Sequence, residues 1–327
     1  MGYRASARFS PAKTRRSFDW RNESNTGEWQ MDLSTFLQQL VNGASLGSMY
    51  ALIAIGYTMV YGVLRLINFA HGDIMMVGAF LTYFAVSFGF PFEAAVALAI
   101  LGSIIVGILT DKIAYKPLRD APKISLLITA IGISFFLENL FNVLFGGVPR
   151  AFSAPEYLSK VMHFSGIYMP VTVVIIPIVT VIILASVLWI LYRTKYGMAI
   201  RALAFDIPTV KLMGINADSI ISIVFALGSA LAAIGGIFYA VSYPSIDPLM
   251  GIIVGLKAFA AAVLGGIGSV TGAVLGGFIL GFTEIFVVAL FPELGGYKDA
   301  FAFFFLILVL LFRPTGIMGE DLERSRF

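Results

Sequence analysis

The chain has 327 residues, 59% hydrophobic and 13% charged, without cysteine, and its mean hydropathy is +0.91. A soluble fold, with roughly a quarter of its residues charged, is excluded, and so are disulfides, thiolate metal sites and cysteine nucleophiles. The net charge of +3 lies wholly in residues 1–30, leaving 16 charged residues of each sign elsewhere, so the basic pI of about 9.0 marks no nucleic-acid surface.

Residues 1–30 form a polar basic tail without the apolar run of a secretory signal. It reads as disordered or as an upstream addition. Met31 is the expected functional beginning, with Asp32 or Ser34 as the first helix cap.

Hydrophobic segments follow near 36–60, 70–89, 92–112, 124–146, 170–192, 220–242, 252–265, 272–291 and 298–313. Uncharged runs such as Leu33–Leu64 and Ala258–Thr283 exceed the roughly 20 residues that a helix needs to cross a bilayer. Barrel strands alternate polar and apolar residues, whereas 301–312 is apolar throughout. The expected fold is therefore all-α: a polytopic transmembrane bundle of about 8–9 segments, with broken or re-entrant helices allowed around 252–291. Residues 31–318 make the membrane domain and 319–327 a cytoplasmic tail. Basic residues gather at Lys112–Lys123, Arg193–Lys211 and Arg313–Arg326. Counting spans puts all three on one side, which should be cytoplasmic. The same parity puts Met31 outside, at odds with the basic tail.

The segment Asn68-Phe-Ala-His71-Gly-Asp73 is polar beside apolar helices. It reads either as a helix break near a translocation path or as an interfacial turn, with Asn68 or Asp73 capping the following helix. His71 is a weak metal candidate, since the other histidine, His163, is distant in sequence. Glu138, Lys257 and Glu284 lie inside hydrophobic segments. In a 252–291 hairpin, Lys257 and Glu284 sit about 17 and 23 Å from the turn, within reach of pairing, or each snorkels separately. Gly268, Gly272, Gly276 and Gly281, together with Gly43 and Gly47, suit close helix packing. Gly266–Gly272 lacks the Lys-Ser/Thr of a phosphate loop. The polar segment 193–219 reads as short helices, with Pro208 opening and Gly214 closing the second. It is either a docking element for a soluble partner or a surface linker. The connection 146–169, the longest on the far side, either docks a binding protein or covers the bundle.

Four stretches together resemble the permease subunits of branched-chain amino acid ABC importers, LivH type. They are Asn42–Gly56, Gly62–Asp73, Arg201–Asn216 and Lys257–Gly272. The resemblance implies half of a translocation pathway in a prokaryotic inner membrane, without enzymatic activity or a cofactor of its own. It also implies ATP-Mg on two cytoplasmic ATPases, a second permease (identical or homologous) and an extracytoplasmic solute-binding protein. It makes the 193–219 loop the coupling element, with Arg201, Ala204, Asp206, Lys211 and Gly214 meeting the ATPase. Phe205 stands where many relatives carry Glu. Asn68, His71, Asp73, Glu138, Lys257 and Glu284 become candidate pathway or gating residues. Permeases for urea or short amides, and a proton-coupled secondary transporter using Glu138 or Asp73, are the alternatives.

Overall fold

The computed structural model describes residues 33–164 and 167–319. The expectations for residues 1–30, for Asp32 and for the tail beyond 319 fall outside them.

The principal helices are α1 (Leu33–Leu64), α2 (Ala70–Ser87), α3 (Phe92–Leu109), α4 (Lys123–Phe145), α6 (Val171–Arg193), α9 (Ala217–Ser242), α10 (Met250–Gly265), α11 (Val270–Leu290) and α12 (Lys298–Phe312). Shorter helices are α5 (Glu156–Ser159), α7 (Lys195–Phe205) and α8 (Ile207–Leu212). Among the described residues, seven helical segments are long and apolar enough to span a bilayer. The bundle is helical because a bilayer offers the backbone no water, so its polar groups must pair within each segment.

α1 is the central helix: its most apolar stretch is 89% buried, against 6% for the segment ending in α12. It accepts neighbours closely because it presents Gly43, Gly47, Ser48, Ala51 and Ala54. A Cβ on Gly281 of α11 would lie 2.3 Å from the Gly47 nitrogen, and one on Gly277 would lie 2.6 Å from the Ala51 nitrogen. Gly43 faces the Phe282 ring, Gly276 lies against Ala261 and Gly272 against Gly265. Apart from Gly43 against the Phe282 ring, these contacts are backbone against backbone, the geometry that small residues permit. Gly268 departs from the expected stripe. It precedes α11, has φ +102°, and its N–H donates to Thr58 Oγ1 at 2.8 Å. It shapes the α10–α11 turn against α1 and lies outside the α11 stripe. The outer helices α3, α4 and α6 expose Leu101, Ile105, Phe136, Ile182 and Trp189, an apolar surface suited to lipid.

Local chemistry explains several boundaries. Thr194, Asn216 and Ser269 accept hydrogen bonds from the backbone N–H three residues ahead and so cap α7, α9 and α11. The described part of α1 begins at Leu33, so Ser34 stands within its first turn. α3 continues through a π-helical turn (Thr110–Tyr115) and a 3₁₀ turn (Lys116–Leu118).

Contacts place connections on common sides. Arg65 Nη2 donates to the Ala204 carbonyl at 3.1 Å, Arg119 pairs with Asp218, and the Ile317 N–H donates to the Leu264 carbonyl at 2.9 Å. The ends of α1, α3, α10 and α12 therefore share a side with α7 and α8. On the opposite side β1 (Arg150–Ala151) pairs antiparallel with β4 (Ser245–Ile246). Nearby, β2 (Val161–Phe164) and β3 (Ile167–Pro170) form a hairpin.

Candidate translocation and coupling sites

The first site is the break between α1 and α2. A Cβ on Gly56 would fall 2.3 Å from His71 Nε2, so His71 is level with Gly56. Gly56 lies about 12 Å along α1 before its end at Leu64, at 1.5 Å per residue. The connection 65–69 thus folds back along α1, and α2, at 18 residues, starts below its end. α10, at 16 residues, brings its first turn to the same point: a Cβ on Gly72 would lie 2.4 Å from the Gly251 carbonyl oxygen. Two short helices therefore meet at their N-terminal ends, inside the bundle. Arg65 is the residue that turns the chain, with φ +53°.

The expected cap at this break is not formed. Phe69 occupies the cap position of α2 and no side chain caps the helix. Asn68 instead accepts a hydrogen bond from the Tyr115 hydroxyl at 2.7 Å, and Asp73 sits inside the first turn. His71 packs edge-on to Tyr57, ring centres 4.6 Å apart. Asn68 Nδ2, His71 Nε2 and both Asp73 carboxylate oxygens are buried without a hydrogen-bond partner. Asp73 and Glu138 line one cavity of about 200 Å³ between α2, α4 and α10, where Ser134 donates to Glu138 at 3.2 Å.

Lys257 and Glu284 occupy a second site, on the other side of α10. They pair at 3.0 Å, both almost wholly buried. Two residues that sequence spacing did not flag join them. The Tyr50 hydroxyl lies 3.1 Å from both Glu284 oxygens, and Asp299 lies 2.6 Å from Lys257. Asp299 stands one residue into α12, a position that reads in sequence only as a helix start.

The third site is the α7–α8 elbow. Arg201 donates to the Leu191 carbonyl and stacks over Tyr192, its guanidinium carbon 4.9 Å from the ring centre, so it braces the elbow against α6. Arg201 is thus turned inward and away from the surface expected of it, and Ala204 is half-buried. Asp206 precedes α8 and accepts from the Thr209 hydroxyl, Pro208 stands in the first turn, and Gly214 closes the elbow at φ +78°. Asp206, Lys211 and Gly214 are exposed, and with them three large apolar residues: Phe205 (75%), Leu212 (89%) and Met213 (73%). The 3.6-residue pattern buries Leu203 and Val210 and leaves those three outward.

A charge network anchors the elbow's far end. Asp111, fully buried, accepts from Arg119 at 2.5 Å and from the Ser222 hydroxyl at 2.7 Å. Arg119 and Lys116 both pair with Asp218 at the start of α9, at 2.5 and 2.8 Å. Tyr115, in the same π-helical turn, carries the link on to Asn68 at the break. In sequence these residues signal only a basic loop.

On the opposite side the Tyr157 hydroxyl donates to Glu93 at 2.6 Å. That carboxylate pushes the Tyr157 phenol up to about 12, so it remains a donor at neutral pH.

The family of branched-chain amino acid transport system / permease components matches residues 39–310. The chain belongs to that family. It is 41% identical to the high-affinity branched-chain amino acid transport system permease protein BraD of Pseudomonas aeruginosa, over 87% of this chain and 96% of that one. It is 40% identical to the corresponding permease protein LivH of Escherichia coli K12, with the same coverage. A solved structure, PsaBC from Streptococcus pneumoniae in complex with Fab, overlaps 87% of the chain and 93% of its own at a TM-score of 0.46 and 13% identity. Membership of the branched-chain family favours that reading over the urea and proton-coupled alternatives.

Proposed function

We propose that this chain is one transmembrane half of an ATP-driven importer of branched-chain amino acids. The observation that carries the reading is near-full-length identity of 40–41% to two permease proteins of such systems. The chain works as a gate. ATP with magnesium is hydrolysed on two cytoplasmic ATPases, a second permease, identical or homologous, completes the pathway, and an extracytoplasmic binding protein delivers cargo.

The basic connections sharing a side with α7 and α8 support a cytoplasmic location, in a prokaryotic cell, for that side and the end of α12. The α7–α8 elbow then meets the ATPase through Phe205, Leu212 and Met213, ringed by Asp206, Lys211 and Gly214. Its movement reaches the break through α9, Asp218, Arg119 and the Tyr115–Asn68 hydrogen bond. Such coupling works only if those contacts differ between the two states.

Reconstitution with both ATPases, the partner permease and the binding protein should give leucine uptake that requires ATP. Uptake by this chain alone on a proton gradient, or accumulation of urea in place of leucine, would defeat the proposal.

A further inference from the structure

Asp73 is 1% exposed, yet among the described residues neither carboxylate oxygen meets a hydrogen-bond partner, the neighbouring Ser134 hydroxyl being given to Glu138. It borders the cavity of about 200 Å³ shared with Glu138, and no Lys, Arg or His lines that cavity. Lys257, also on α10, is already engaged by Glu284 and Asp299. An isolated carboxylate in a dry interior is costly, and within a membrane such a group faces a partner or a water-filled path. Space is kept for it: a Cβ on Gly251 would come within 2.9 Å of Asp73 Oδ1. Apart from Ser134, the remaining side-chain walls are aromatic (Tyr57, Phe69, Phe135) and aliphatic (Ile131, Ile252, Leu256). A divalent metal would want about six oxygen ligands, which these walls do not offer. An organic ammonium needs two or three acceptors, gains from aromatic faces, and leaves apolar walls for the rest of the molecule.

We propose that this cavity is an intramembrane subsite for the cargo, in which Asp73 and Glu138 receive its α-ammonium and the apolar walls receive its branched side chain. The proposal rests on the transport function above and deepens it. Its mouth lies among exposed Ile131, Phe135, Ile252 and Leu256. Two carboxylates behind that mouth are incompatible with lipid, so this face of α4 and α10 looks into the pathway.

The test uses the assembled transporter in proteoliposomes, with tritiated leucine uptake and ATP hydrolysis read together. Asp73→Asn should lower uptake by about tenfold or more, as loss of a charge-assisted contact requires, while binding-protein-stimulated hydrolysis persists. Asp73→Glu should retain more uptake than Asp73→Asn, and Glu138→Gln should also lose uptake. In direct binding to the wild-type complex, isoamylamine should displace leucine and 4-methylpentanoate, which lacks the amine, should not.

Wild-type uptake in Asp73→Asn, or equal displacement by the two analogues, overturns the subsite. A carboxylate that merely offsets the helix N-termini would give that equal displacement. If Asp73→Asn does not assemble, Glu138→Gln and the analogue competition still decide. Absence of leucine uptake by the wild-type complex would instead sink the transport reading beneath the proposal.

Discussion

The ammonium of Lys257 lies 2.6 Å from Asp299 and 3.0 Å from Glu284, so one cation on α10 serves anions on both α12 and α11. Three helices are thereby tied at a point where lipid-like surroundings leave charges little alternative. Lys257→Met would strand Glu284, and the bundle should lose about 3–5 kcal/mol. The double variant with Glu284→Gln should recover part of that loss. Thermal unfolding of the detergent-purified protein measures both, and additive effects would show that the pair is not coupled.

The elbow makes a second prediction. Leu212→Glu should weaken ATPase binding by about tenfold or more, as expected when an exposed apolar anchor is lost from a docking surface. Asp206→Ala and Lys211→Glu, at the rim, should change it less. Co-purification and transport-coupled ATP hydrolysis report the difference, and the folded yield of the permease should not move.

Tyr115→Phe removes the donor to Asn68 and leaves a buried acceptor unmatched. Stability should fall by about 1–3 kcal/mol. If the Tyr115–Asn68 bond carries motion from α9 to the break, uptake per ATP hydrolysed should fall further than stability explains. Equal loss of uptake and hydrolysis would assign the bond to stability alone.

Glycine substitutions separate packing from surface. Gly277→Ala, whose Cβ would lie 2.6 Å from the Ala51 nitrogen, should destabilise by about 1–3 kcal/mol because α1 and α11 must part. Gly132→Ala on α4 meets nothing within 4 Å and should be neutral or stabilising, by up to about 1 kcal/mol from helix propensity. Melting temperatures of the two variants should move in opposite directions or differ clearly in size.

Nearly every helix was legible beforehand. The expected segments 124–146, 170–192 and 272–291 lie within a residue or two of α4, α6 and α11, because apolar length is a one-dimensional property. Lys257 and Glu284 were legible as a potential pair because both stand on one hairpin of known rise. Asp299 was not: its approach depends on where α12 returns against α10. The capping role expected of Asn68 failed for a similar reason, since Tyr115 arrives from α3, a span away in the chain, and takes its carbonyl oxygen. Gly268 kept the four-residue spacing of its neighbours but fell outside the helix that would have given that spacing meaning.

Composition and apolar run length by themselves determined that this is a membrane-spanning helical protein, and four motif stretches pointed to its family. The first follows from local chemistry, since a helix satisfies its own backbone and its neighbours along the chain suffice to specify it; the second rests on resemblance. Only the tertiary structure decided that α2 and α10 meet end to end inside the bundle, that Asp73 is left without a partner beside Glu138, and which face of the elbow is bare. Those depend on contacts between residues far apart in sequence, where a few ångströms of helix placement determine whether a charge is matched or exposed to a cavity.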